Sequence, residues 1–110
     1  CEKDPLVQNV LERIGRVTGV PTVNYELLEI LKYEVGQFYN THGDFLVDDL
    51  EMPAGPRILT LYFYLNDVET GGVTKFNDLD VAVTPKKGKA ILWTNVLDED
   101  PLKEEPNTNH

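Results

Sequence analysis

The sequence predicts a mainly β domain of the sandwich or jelly-roll kind, preceded by one amphipathic helix. Three observations carry the prediction. Residues 4–21 hold a capped repeat of apolar side chains at helical spacing. From Asn24 onward the texture changes to short β-branched and aromatic runs separated by Gly, Pro, Asn and Asp clusters. The whole is 110 residues with 41% hydrophobic and 26% charged side chains, which suits one globular domain and argues against a disordered tail or a coiled coil.

The helix starts at Asp4, a good N-cap, with Pro5 at its first position, and stops at Gly19 with Pro21 just beyond. Val7, Val10, Leu11, Ile14 and Val17 form its expected buried stripe. Strands are expected near Leu27 to Val35, Phe38 to His42, Arg57 to Leu65, Val73 to Phe76, Val81 to Thr84 and Ala90 to Thr94. Two of them, Leu27 to Tyr33 and Ile58 to Leu65, are apolar on both faces and should be central. Turns fall at Asn66-Asp67 with Gly71-Gly72, at Asn77 to Asp80 and at Pro85-Lys86-Lys87-Gly88. Closely spaced hairpins suggest the sandwich or jelly roll. The stretch from Asp98 to Asn109, with Pro101 and Pro106, reads as a long loop, and Trp93 as core.

Charge narrows the function classes. Ten Lys and Arg against 19 Asp and Glu make a net charge of −9. A surface gripping nucleic-acid phosphates or anionic lipid needs clustered cations, so neither partner is expected. No apolar run approaches the roughly 20 residues of a membrane span, and no signal-peptide pattern opens the chain, so a soluble segment is expected. Cys1 stands alone and builds no disulfide framework; a longer parent protein would have to supply its partner.

His42-Gly43-Asp44 is the first candidate for chemistry. At a strand end, residues i and i+2 project to one side about 6.6 Å apart, so both side chains can converge on a metal ion. On so acidic a chain a solvated polar pair is the competing reading. The other histidine, His110, would complete a 2-His-1-carboxylate triad, which leaves open positions on Fe(II). Taken alone, His110 reads as a frayed terminal residue rather than a ligand.

The flanking text is more specific. Leu28-Glu29-Ile30-Leu31-Lys32-Tyr33-Glu34-Val35-Gly36-Gln37-Phe38-Tyr39-Asn40-Thr41-His42-Gly43-Asp44 resembles the catalytic-domain motif of prolyl 4-hydroxylases of the collagen and plant or algal type. Gly55-Pro56-Arg57, Thr60, Tyr64 to Val68, Gly71 to Phe76 and Val83 to Ala90 follow in that family's order, with His110 where its distal histidine is expected. Asp4-Pro5, then Thr18-Gly19-Val20-Pro21 and Asn24, resemble the segment that precedes the motif.

The resemblance implies a mainly β double-stranded β-helix (jelly roll) with a flanking N-terminal α-helix. It also implies an Fe(II)- and 2-oxoglutarate-dependent dioxygenase that uses O2 and ascorbate, releases succinate and CO2, and hydroxylates peptidyl proline at C4. By the same match His42, Asp44 and His110 become catalytic metal ligands, Tyr33 and Thr74 bind 2-oxoglutarate, and Tyr39 and Arg57 contact a proline-containing peptide or protein substrate. Gly71 and Gly72 read as turn geometry. Val73 stands where the family commonly has an acidic residue. In that family a lysine shortly after the distal histidine pairs with the far carboxylate of 2-oxoglutarate, and neither Lys89 nor Lys103 occupies that position. Residues 1–110 are therefore expected to be a single catalytic domain truncated after the distal ligand. The resemblance favours the secretory pathway and the endoplasmic reticulum. Two alternatives stay open: an oxygenase of the same superfamily acting on a free amino acid or small metabolite, and a non-catalytic jelly-roll binding module.

Overall fold

The N-terminal helix forms where its caps allow. In the computed structural model, which describes residues 3–110, α1 spans Pro5–Thr18. Asp4 Oδ1 accepts from the Leu6 N–H at 2.8 Å, filling one of the donors a helix start leaves unpaired. Gly19 takes the left-handed conformation at φ 72°, and its N–H closes on the Gly15 carbonyl. Tyr25 then ties the exit, its hydroxyl donating to the Val20 carbonyl at 3.0 Å. The stripe is narrower than expected: Val7, Leu11 and Ile14 are half-buried, whereas Val10 and Val17 are exposed. No helix among the described residues is long and apolar enough to cross a membrane. Cys1 lies outside the described residues.

The chain divides into two compact units, one ending at Val35 and the other running from Gly36 to His110. The mainly β prediction holds for the second, which contains three small two-stranded antiparallel sheets compatible with a jelly roll. Strand β1 (Leu59–Phe63) pairs with β4 (Ala90–Thr94), β2 (Thr74–Phe76) with β3 (Val81–Val83), and β5 (Val96–Leu97) with β6 (Asp100–Glu104). The β2–β3 turn lies at Asn77–Asp80 as expected, and Asp80 adopts φ 51°, a conformation Asp tolerates better than most residues. Gly88, at φ 82°, closes the turn before β4.

Three expectations are corrected. Leu27 to Val35 and Phe38 to His42 form no strand among the described residues, and Ile30 is 76% exposed. A run apolar on both faces has the side chains of a central strand, but a strand also needs a ladder partner, which periodicity does not report. Asp98 to Asn109 is not one long loop: β6 and a short 3-10 turn at Pro106–Thr108 occupy most of it. Pro101 fits there because β6 is paired on one side alone and can spare an N–H. A further short 3-10 segment, Val47–Glu51, was not foreseen.

The β1–β4 register decides which side chains share a face. Thr60 stands opposite Trp93 and Tyr62 opposite Ile91, so these four face one way, while Leu59, Leu61, Leu92 and Thr94 face the other. Burial in β4 alternates accordingly, and the buried apolar core consists of Tyr64, Phe76, Trp93 and Val96. The Phe76 and Trp93 rings pack edge to face at a centroid distance of 5.3 Å.

Two predictions follow from this architecture. With so small a core, Trp93→Ala should cost about 3–5 kcal/mol of stability, read as a lowered urea midpoint. In the β5–β6 connection, the Leu102 N–H and then Lys103 hold the Asp100 carboxyl below its ordinary value of 3.8. The ionised carboxylate is thus the form that favours the folded turn; its contribution is present above the ordinary value and is lost as pH falls through the lowered one. An NMR titration should place the Asp100 midpoint below that of an unstructured Asp. Lys103→Ala should raise it only part of the way, because the backbone N–H is the larger cause.

Candidate metal centre

A pair of backbone hydrogen bonds brings the two histidines together. The His42 N–H donates to the His110 carbonyl at 2.9 Å, and the His110 N–H donates to the His42 carbonyl at 2.9 Å. In such a doubly bonded antiparallel pair the two residues lie directly opposite and their side chains leave on the same side. Their rings lie 4.6 Å apart between centroids. Asp44, two residues beyond His42, returns to that side, and its Oδ1 lies 3.5 Å from His42 Nε2. One ligand atom from each of His42, Asp44 and His110 lies within 4.8 Å of the others, and all three residues are half-buried.

The donor set fits a divalent metal ion. His42 Nδ1 meets the Asn40 carbonyl at 2.9 Å, and His110 Nδ1 meets the Thr108 carbonyl at 2.9 Å. A carbonyl only accepts, so each Nδ1 carries a proton, and Nε2 is the nitrogen whose lone pair the neutral imidazole offers to a metal. A backbone carbonyl behind the far nitrogen is the usual way a ligating imidazole is oriented. Asp44 Oδ2 is occupied by the Thr60 hydroxyl, which donates to it at 2.6 Å. Two imidazole nitrogens and one carboxylate oxygen form the 2-His-1-carboxylate pattern associated with Fe(II).

The surroundings fix His110 in place. Its ring lies 4.7 Å from Trp93 and 5.4 Å from Phe76 between centroids, so β4 and β2 both support it. Gly43 matters through the space it leaves: a Cβ there would lie 2.6 Å from Asn109 Oδ1 and 2.8 Å from Glu104 Oε1.

The other expected residues are distributed as follows. Thr74 sits on the same face of β2 as Phe76, and its hydroxyl accepts from Tyr64 Oη at 2.7 Å. The Tyr39 ring lies 4.2 Å from that of His42 and is 61% exposed. Arg57 is half-buried, two residues ahead of β1. Tyr33 belongs to the first unit, exposed on irregular chain. Gly71 and Gly72 have φ of 81° and 66°, as a turn requires.

Two contributors escaped the reading of the sequence. Tyr64 stands in the family-like motif with no role attached to it, and no motif marks Asn95. Asn95 is 2% exposed, and its Nδ2 donates to Thr60 Oγ1 at 2.9 Å. Its Oδ1 has no partner, and such an orphan costs about 1–3 kcal/mol. The available signal was an amide inside the apolar run from Ala90 to Leu97.

Comparison with known proteins agrees with this geometry. Residues 28–106 match the 2OG-Fe(II) oxygenase superfamily. The chain is 38% identical to prolyl 4-hydroxylase subunit alpha-2 of Gallus gallus, over 87% of this chain and 18% of that protein. It is 38% identical to prolyl 4-hydroxylase subunit alpha-1 of Rattus norvegicus, over 86% of this chain and 19% of that protein. Prolyl 4-hydroxylase 2 of Arabidopsis thaliana is 34% identical over 86% of this chain and 39% of its own length. The chain thus spans about a fifth of these animal relatives and about two fifths of the plant one. That family implies Fe(II), 2-oxoglutarate and O2, and a His-Asp-His group able to bind iron lies inside or just beyond the matched span: the chain belongs to the 2OG-Fe(II) oxygenase superfamily.

Proposed function

We propose that this chain is the catalytic domain, folded as part of a double-stranded β-helix, of an oxygenase that hydroxylates peptidyl proline at C4. The observation that carries the reading is the reciprocal His42–His110 backbone pair with Asp44 on the same side. In this reading His42 Nε2, His110 Nε2 and Asp44 Oδ1 hold Fe(II). Iron with 2-oxoglutarate and O2 supplies the oxidising chemistry, coupled to release of succinate and CO2.

The chain's own residues do the rest by holding and orienting. Each Nδ1–H anchored on a carbonyl keeps its imidazole aimed at the metal. Thr74 binds 2-oxoglutarate through its hydroxyl, which the Tyr64 hydroxyl holds in place at 2.7 Å. The exposed face of Tyr39, against the His42 ring, suits an apolar pyrrolidine ring held beside the metal. Arg57 contributes to holding the peptide, which is taken up in extended polyproline II form. The names of the relatives support a prolyl substrate over a free metabolite.

The test is hydroxylation of a proline-rich peptide by the full-length protein, followed by mass spectrometry and by succinate release. Wild type should couple the two in equal amounts. His42→Ala and Asp44→Ala should each reduce both to background while leaving the fold intact by circular dichroism. Metal binding without 2-oxoglutarate turnover in wild type would instead identify a binding module.

A further inference from the structure

The carboxylate among the three candidate ligands is held by residues to which no expectation assigned a role. Asp44 Oδ2 accepts from Thr60 Oγ1 at 2.6 Å, and Thr60 Oγ1 accepts from Asn95 Nδ2 at 2.9 Å. The polarity of this chain is fixed by proton count. A carboxylate serving as a metal ligand is ionised and can only accept. The single Thr60 proton therefore goes to Asp44, and the Thr60 oxygen must receive its second hydrogen bond from a donor. Asn95 supplies it through its NH2 group. Were the amide reversed, its carbonyl would compete with Asp44 for the one proton.

Asn95 is anchored to hold that orientation. Its backbone N–H donates to the Ile58 carbonyl at 2.9 Å, and its carbonyl accepts from the Glu105 N–H at 2.9 Å. It is the buried polar side chain among the described residues, and its Oδ1 is unpartnered. An amide that served only to satisfy itself would use both ends. This one uses the end that faces Thr60.

We propose that Thr60, backed by Asn95, is a positioning residue that occupies Asp44 Oδ2 and thereby presents Oδ1 to the metal. The proposal rests on the iron-site reading of His42, Asp44 and His110. The register of β1 on β4 makes it possible: Thr60 lies opposite Trp93, and Asn95, two residues further along, is its diagonal neighbour on the same face.

Cobalt(II) titration of the full chain, followed by visible absorption and calorimetry, tests the proposal without turnover. Wild type should bind one cobalt ion, and His42→Ala should abolish binding. Thr60→Val, which keeps the shape and removes the hydroxyl, should weaken cobalt binding about 10- to 100-fold. Thr60→Ser should restore most of it. Asn95→Asp should also weaken binding, because a carboxylate there accepts the Thr60 proton instead of directing it to Asp44. Apo-protein melting curves report folding separately; if Thr60→Val does not fold, the Ser and Asp variants decide. Thr60→Val binding as tightly as wild type, Thr60→Ser failing to restore binding, or Asn95→Asp matching wild type would overturn the positioning role and leave the metal site standing. No His42-dependent cobalt binding in wild type would overturn both.

Discussion

The candidate metal centre depends on two hydrogen bonds, the reciprocal backbone pair between His42 and His110. Two residues that sequence places far apart are held directly opposite each other by the only groups they could not fail to have, their own N–H and C=O. Side-chain direction then follows from backbone geometry. Both imidazoles leave on one side, and Asp44 joins them by the two-residue alternation of extended chain. A contact between side chains alone would have left both rings free to rotate. Here each ring is also fixed at Nδ1 by a carbonyl two residues away in its own chain.

The sheets explain why that pair can form at all. The face of β1 and β4 that carries Thr60 and Trp93 supplies a hydroxyl to Asp44 and an indole to His110. Phe76, from β2, touches both Trp93 and His110 and so ties the second hairpin to the same point. Phe76 and Trp93 therefore belong both to the buried apolar core and to the support of the candidate metal centre. Stability and ligand geometry are coupled through them: a change that loosens the Phe76–Trp93 contact also loosens the support of His110.

Legibility in the sequence divided along physical lines. Features written in local chemistry were readable: the Asp4 and Gly19 caps, the turn at Asn77–Asp80, β4, and the turn glycines Gly71, Gly72 and Gly88. Features that need a partner were not. Leu27 to Val35 has the residue types of a buried strand and forms none among the described residues, while Asp100–Glu104, polar and containing Pro101, pairs with β5. His42, Asp44 and His110 were reached by motif likeness, because spacing alone left His110 as a terminal residue. Thr60 and Asn95 were missed as a pair because their relation is a diagonal across two strands, visible only once the register is known.

Gly43 shows how one residue can be noticed for one property and matter for another. Between two candidate ligands a glycine suggests backbone freedom, yet its φ is not among the positive ones. What it provides is the absence of a Cβ, which lets the side chains of Asn109 and Glu104 come close against the loop that carries His42 and Asp44. Asn109 is the neighbour of His110, so that close approach helps seat His110 against His42. Charge has no comparable part in the arrangement. The chain carries 19 acidic residues, and a surplus of carboxylates could bind cations anywhere on its surface. What distinguishes Asp44 is that one of its oxygens is already engaged by a strand hydroxyl while the other faces an imidazole nitrogen. What sets this carboxylate apart from the other acidic groups is therefore its hydrogen bonding and not the excess of negative charge.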